Sequence, residues 1–365
     1  MTADSADSTA GYGHIRETVG LLDFSSRGIL HLAGAEGADF LQGLVTNDVL
    51  KLRDGESCPA AILTPVGKIF AMLEIVRAGA DALYLLLQDG SGARVVDFLE
   101  RYRFNELVEI ADLSADMGWL SLQGPAAPAA AGATFGDAQV PGPRGFHSFA
   151  FGERTVRIAR FDEVGVPGVH VLVRRSGLDT LREVLDRAAA EQGGGPASLD
   201  AWHACRVEAG VPWQGAELDE SVLPMEAGLR AILDDHKGCY IGQETVARAL
   251  VQGRTNWNLW GLRLPRDSGV SPGDELRGTV KQRPVVRVRS VVRSPSSPEP
   301  LALGFVHREV AQAGPLTVKA EAGEIEVVLE RLPFPESGAP GAAPPPRTAS
   351  NWNPAGVDLR GPAPA

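Results

Sequence analysis

The chain has 365 residues, 44% of them hydrophobic, and a formal net charge of −11 from 35 Lys+Arg against 46 Asp+Glu. That size accommodates roughly two domains of ~150 residues and excludes a small disulfide-stapled fold. The acidic balance argues against direct nucleic-acid binding, and the lack of a leader pattern or of an apolar run of ~18 residues predicts a cytoplasmic protein with no membrane partner.

In chain order, residues 1–15 are expected to be disordered. A strand follows at 28–32, then a helix at 35–44 with the stripe Phe40, Leu41 and Leu44. Strand-like runs at 58–63, 69–77 and 82–88 are separated by Gly-containing turns, and a helix at 91–104 presents Val95, Phe98, Leu99 and Tyr102 on one side. Strands at 107–112 and 118–122 complete this part. Hairpins alternating with single helices predict an α+β fold with antiparallel sheets.

An Ala/Gly/Pro-rich stretch at 124–145 opens a second α+β lobe, 124–196, with strands at 154–160 and 168–174 and a helix at 177–190. A helix at 198–209 and another at 243–252 return the chain to the first lobe, which is therefore discontinuous: 16–123 and 197–255. Strand after strand, broken by Gly and Pro, predicts a C-terminal β-barrel over 256–333. The Pro/Gly/Ala-rich segment 334–365 is expected to be disordered. Lys281, Arg283, Arg287, Arg289 and Arg293 share the outward face of one barrel strand, as a solvated surface or a patch for RNA or an acidic partner.

Phosphate-loop, dinucleotide, zinc-protease and serine-hydrolase signatures are absent, and no stable metal site is predicted. The run Lys237-Gly238-Cys239-Tyr240-Ile241-Gly242-Gln243-Glu244 places a cysteine just upstream of a helix and two residues after a lysine. A helix N-terminus and a nearby cation both favour a thiolate, so Cys239 and Lys237 are the candidate reactive pair; a structural thiol in a tight turn is the alternative. Cys58 and Cys205 read as buried, inert strand and helix residues, and without Cys-x-x-Cys spacing the three thiols suit a reducing compartment. Glu208, in Arg206-Val207-Glu208-Ala209-Gly210, falls at a helix C-terminus where the dipole disfavours a carboxylate, so it calls for a partner. That partner is either a cation such as Arg206 or a ligand; a pterin would offer a ring N–H and an exocyclic amine to the two oxygens.

These two runs, with Pro224-Met225-Glu226-Ala227-Gly228-Leu229, Phe40-Leu41-Gln42-Gly43, Thr46-Asn47-Asp48 and Leu122-Gln123-Gly124-Pro125, resemble the YgfZ family, relatives of the glycine-cleavage T-protein. The similarity spans residues 20–332, and its most specific part is the 237–244 motif. The resemblance implies a three-lobed T-protein-like fold, tetrahydrofolate as ligand with Glu208 and Arg206 at its site, and a role in assembling or repairing iron–sulfur clusters in client enzymes, including enzymes that modify tRNA. Cys239 matches that family's functional cysteine, acting as transient iron ligand, sulfur relay or mixed-disulfide partner. The T-protein Gly-Gly-x-x-Asp-Asp stretch, source of its catalytic aspartate, corresponds to Gly67-Lys68-Ile69-Phe70-Ala71-Met72. With Ala71 and Met72 in place of acids, transfer by the T-protein mechanism is expected to be lost. The rival reading is a folate-dependent aminomethyl- or methyl-transferase, or a demethylase, acting on a small amine.

Overall fold

The computed structural model describes residues 10–335 apart from 254, 281 and 322. The expectations for 1–9 and 336–365 lie outside the described residues.

The apolar runs flanked by turns become an antiparallel five-stranded sheet in the spatial order Ser57–Leu63, Ile69–Gly79, Ala82–Leu87, Ile29–Ala33, Glu109–Asp112. Val95, Phe98 and Leu99 of the Gly92–Tyr102 helix are buried, and they join Leu30, Leu73, Ile75 and Leu85 in one core. In the longest hairpin, Ala61 faces Met72 and Ile62 faces Ala71, which fixes the two positions where the T-protein pattern would carry acids.

A six-stranded sheet runs Gly195–Pro196, Gly20–Asp23, Met117–Gln123, Gly168–Arg174, Arg154–Arg160, Phe146–Phe151. It crosses the lobe boundary expected at 123/124, since Met117–Gln123 pairs with Gly168–Arg174 along its whole length. Gly124 makes that return possible: its φ is 137°, and a Cβ there would lie 2.4 Å from the Thr18 carbonyl oxygen. The Ala-rich stretch that reads as an interruption contains a helix, Ala127–Phe135, whose Ala127, Ala130 and Ala131 are fully buried against the sheet. Small side chains are what close helix packing requires there, and composition alone does not mark them as a helix.

The C-terminal strands close into a barrel in the order Trp257–Arg263, Leu301–His307, Pro284–Val292, Glu275–Gly278, Gly314–Ala320, Gly323–Glu330, as the sequence predicts. The α+β architecture with antiparallel sheets and a terminal barrel is therefore present. Disorder over residues 10–15 is corrected: Tyr12–Glu17 is a helix with Ile15 fully buried. A helix this short has no intrinsic stability; tertiary contacts hold it, which no local pattern reveals. At the other end, Phe334 is 1% exposed and its N–H donates to the Glu208 carbonyl at 2.9 Å, so order extends past the expected barrel boundary.

The interior between the sheets holds a neutral histidine. His170 Nδ1 accepts from Trp119 Nε1 at 3.1 Å, which leaves Nε2–H to donate to the Phe161 carbonyl at 3.1 Å, and the ring stacks 3.8 Å from Phe161. Burial, with the Arg27 guanidinium second, holds His170 well below the usual histidine range. His203 is pushed down to about 4 by burial and by Arg206. Both rings thus have a lower pKa folded than unfolded, so the unfolded chain binds more protons as pH falls through the unfolded value near ~6.5. Their stabilisation is complete above that pH and is lost on acidification toward and below about 4. The free energy of unfolding in urea between pH 6.5 and 5 should fall more steeply for the wild type than for His170→Gln, with the difference approaching about 1.4 kcal/mol per pH unit at the acid end. Parallel slopes would show that His170 does not titrate on unfolding.

Candidate functional site

The motif runs singled out in the sequence converge on two places. In the first, the Leu199–Glu208 helix begins at Ser198, whose hydroxyl caps the Ala201 N–H, and ends by delivering Glu208 into a closed polar nest. Glu208 is fully buried. Its oxygens accept from Tyr12 Oη at 2.9 Å, from Ser296 Oγ at 2.6 Å, and from Arg16 Nη2 and Ser294 Oγ in still closer contacts. Arg16 also donates to the Cys205 carbonyl at 3.2 Å. The partner that the helix dipole demands is thus a cation from the N-terminal helix, joined by two barrel-loop serines.

Arg206 lies on another side of the same helix. Its guanidinium is 3% exposed, donating to Glu217 Oε2 at 2.9 Å, Ser290 Oγ at 2.8 Å, the Val211 carbonyl at 3.2 Å and His203 Nδ1 at 2.9 Å. Glu208 and Arg206 are therefore not paired with each other, and each already has protein partners. Cys205 is buried, and desolvation pushes its thiol up to about 12; half-buried Cys58 is pushed up to about 12 by the same cause.

In the second place, Cys239 is exposed on the loop before the Gln243–Gln252 helix. Gly242, at φ 81°, caps that helix, and a Cβ on it would lie 2.5 Å from the Thr64 carbonyl oxygen, so the loop seats directly on the 64–67 turn. Gln243 turns back to accept the Tyr240 N–H at 3.1 Å. Glu244 faces solvent with Arg248, and Tyr240 is pushed up to about 12 by burial. Gly238 has open space where a Cβ would stand. Cys239 sits three residues before the helix cap, outside the first turn where the dipole acts. Lys237 behaves differently from its expected part: its side chain is buried, and Nζ donates to the carbonyls of Gln42 at 2.7 Å, Val45 at 2.5 Å and Asn47 at 2.9 Å. An ammonium has three N–H bonds, and all three are occupied. None remains to donate to a thiolate.

Ala71 and Met72 are 1% and 5% exposed. Ala71 lies in the sheet–helix core, while Met72 packs with Leu218, Val222 and Phe305. Two strand residues on, Glu74 is buried with Arg144 and Ser57. Three described arginines of the barrel stripe are ion-paired where they emerge, Arg283 with Glu309, Arg287 with Glu275 and Arg289 with Asp219, whereas Arg293 is exposed. Sequence reasoning missed Tyr12, Arg16, Ser294 and Ser296 because they lie 86 to 196 residues from Glu208, with no spacing signal to join them. Among the described residues, no cluster of three or more His, Cys, Asp or Glu could hold a metal, and no helix is long and apolar enough to cross a membrane.

The family model of the GCVT N-terminal domain matches residues 5–237. The chain belongs to this family. An aminomethyltransferase of Chlorobium chlorochromatii is 30% identical over 342 residues, covering 92% of each chain. One from Chlorobaculum parvum is 27% identical over 333 residues, covering 89% of this chain and 90% of the relative. Among solved structures, the glycine cleavage system aminomethyltransferase T from Bartonella henselae superposes with a TM-score of 0.78 at 22% identity over 90% of each chain, a likeness of fold. The T-protein relation expected from the sequence is thereby established at family level.

Proposed function

We propose that this GCVT-family chain works through Cys239 rather than by aminomethyl transfer, with tetrahydrofolate as the ligand that its family implies. The observation that carries this reading is the pair of buried apolar residues, Ala71 and Met72, where the T-protein pattern has acids. Neither can take or give a proton or stabilise developing positive charge. Folate enters from the family, in which the relatives are named aminomethyltransferase. The residues expected at the pterin do not fit it as they stand: the carboxylate of Glu208 is filled by four protein donors, so no step is routed through a bound folate.

The narrower reading is support of iron–sulfur cluster assembly or repair in client enzymes, of the YgfZ kind. It is favoured by the 237–244 motif and by the exposure of its cysteine. The second reading, a folate-dependent aminomethyl- or methyl-transferase or a demethylase, is the one that the comparisons back better, through relatives named aminomethyltransferase that match 92% and 89% of the chain.

One experiment separates them. A deletion strain complemented with wild type should regain the activities of its iron–sulfur enzymes, and Cys239→Ser should fail to restore them while purified wild-type protein shows no tetrahydrofolate-dependent transfer from an aminomethyl donor. Transfer activity that Cys239→Ser retains would establish the second reading instead.

A further inference from the structure

The residues on either side of Cys239 are fastened to one turn. Two positions before it, Lys237 Nζ holds the carbonyls of Gln42, Val45 and Asn47; two positions after it, the Ile241 N–H donates to the Gly43 carbonyl at 3.2 Å. The turn is itself tied down by Thr46, fully buried, whose hydroxyl donates to the Ile232 carbonyl at 2.7 Å and accepts the Ala61 N–H at 2.9 Å, while its carbonyl accepts the Asp234 N–H at 3.1 Å. On the outer side Lys51 bridges Asp48 at 3.0 Å and Asp234 at 2.7 Å. Between these feet, no partner is recorded for the N–H groups of Gly238 and Cys239 among the described residues.

We propose that Lys237 is a positioning residue: a clasp that seats the Cys239 loop on the 42–47 turn and so sets where the thiol stands, rather than a cation that serves the thiol. Three converging carbonyls suit an ammonium, because a neutral side chain leaves at least one of them facing no donor, and they oppose the burial that pushes the Lys237 amine down to about 8. The position of the thiol then depends on the 42–47 turn, a segment nearly two hundred residues away in sequence. Anything that displaced that turn would move Cys239. This rests on the reading that Cys239 is the working group, but its test is chemical and needs neither folate nor a client enzyme.

The test follows alkylation of Cys239 by iodoacetamide across pH, read by peptide mass spectrometry, together with backbone amide exchange, in wild type, Lys237→Met and Lys237→Gln. A clasp predicts that the midpoint of the alkylation profile stays within about 0.3 pH units while the plateau rate changes by roughly 3-fold or more, and that amides of the 42–48 segment exchange about 10-fold faster. Lys237→Gln, which keeps two donors, should lie between the other two. An upward shift of the midpoint by about one unit with unchanged exchange would make Lys237 an activator of the thiol and overturn the proposal. So would no change in either readout. The wild type supplies an independent check should both variants misfold: the amides of Asp234 and Ile241 should exchange at least ~10-fold more slowly than those of Gly238 and Cys239, and equal rates would remove the two-footed arrangement. Loss of client-enzyme activity in the strain with these thiol results intact would count against the functional reading alone.

Discussion

Arg16→Met is expected to destabilise the protein by about 3 kcal/mol or more. Both members of the Arg16–Glu208 pair are buried, the side chains being 9% and 0% exposed. Removing one partner of such a pair leaves the other charge in a low-dielectric site, a loss that typically reaches about 3–5 kcal/mol. Three hydroxyls, Tyr12, Ser294 and Ser296, remain to solvate Glu208, which places the effect at the lower end of that range. The pair also ties the N-terminal helix to the Leu199–Glu208 helix and to the barrel loop at once, so its loss should loosen three segments together. Urea denaturation of Arg16→Met, Glu208→Gln and the double variant tests this. The double variant should be less destabilised than the two single effects added, because the second change removes a charge already stranded by the first. Strict additivity, or a single-variant loss under ~1 kcal/mol, would mean that the nest is not a lock, and would return Glu208 to candidacy as a ligand group.

What the sequence discloses follows from the range of the interactions involved. The Gly92–Tyr102 helix and the 57–87 hairpins carry their own period, and each observed segment lies within a few residues of its expected bounds; the barrel is legible as a strand-rich region, but its short Glu275–Gly278 strand has no local signal. The helix Ala127–Phe135 has no stripe because nearly every residue is small, and a composition shift looks the same whether the segment is a linker or a close-packed helix. The Gly20–Asp23 strand is four residues long and depends on partners at 117–123 and 195–196, so nothing local marks it. At the site, the chain order shows Lys237 two residues from Cys239 and invites a charge–thiol pairing. The long side chain instead reaches a turn at 42–47, a destination set by tertiary structure. For Glu208 the helix-dipole argument rightly demanded a partner, but could not say that an arginine from residues expected to be disordered, or next to them, would provide it.

Restoring acids on the 69–79 strand should fail as a route to transfer activity. In Ala71→Asp the new carboxylate would enter a core formed with Leu30, Ile62, Leu73 and Leu85; in Met72→Asp it would face Leu218, Val222 and Phe305. The same strand shows what a buried carboxylate requires. Glu74, 6% exposed, receives two hydrogen bonds from Arg144 at 2.8 and 2.7 Å and one from Ser57 at 2.5 Å, and burial raises its carboxyl above the ordinary range even so. The apolar cores around positions 71 and 72 supply no comparable cation. An unpaired carboxyl there would take up a proton rather than ionise, and would still lack hydrogen-bond partners. Each acid variant should therefore lose roughly 3 kcal/mol or more in urea denaturation and show no aminomethyl transfer, whereas Met72→Leu should cost less than about 1.5 kcal/mol. A Met72→Asp protein that melts at the wild-type temperature and transfers an aminomethyl group to tetrahydrofolate would mean that the T-protein pocket persists here with only its acid missing. In that case the fold would still be organised around transfer, and Cys239 would have to be explained as an addition to that chemistry rather than its replacement.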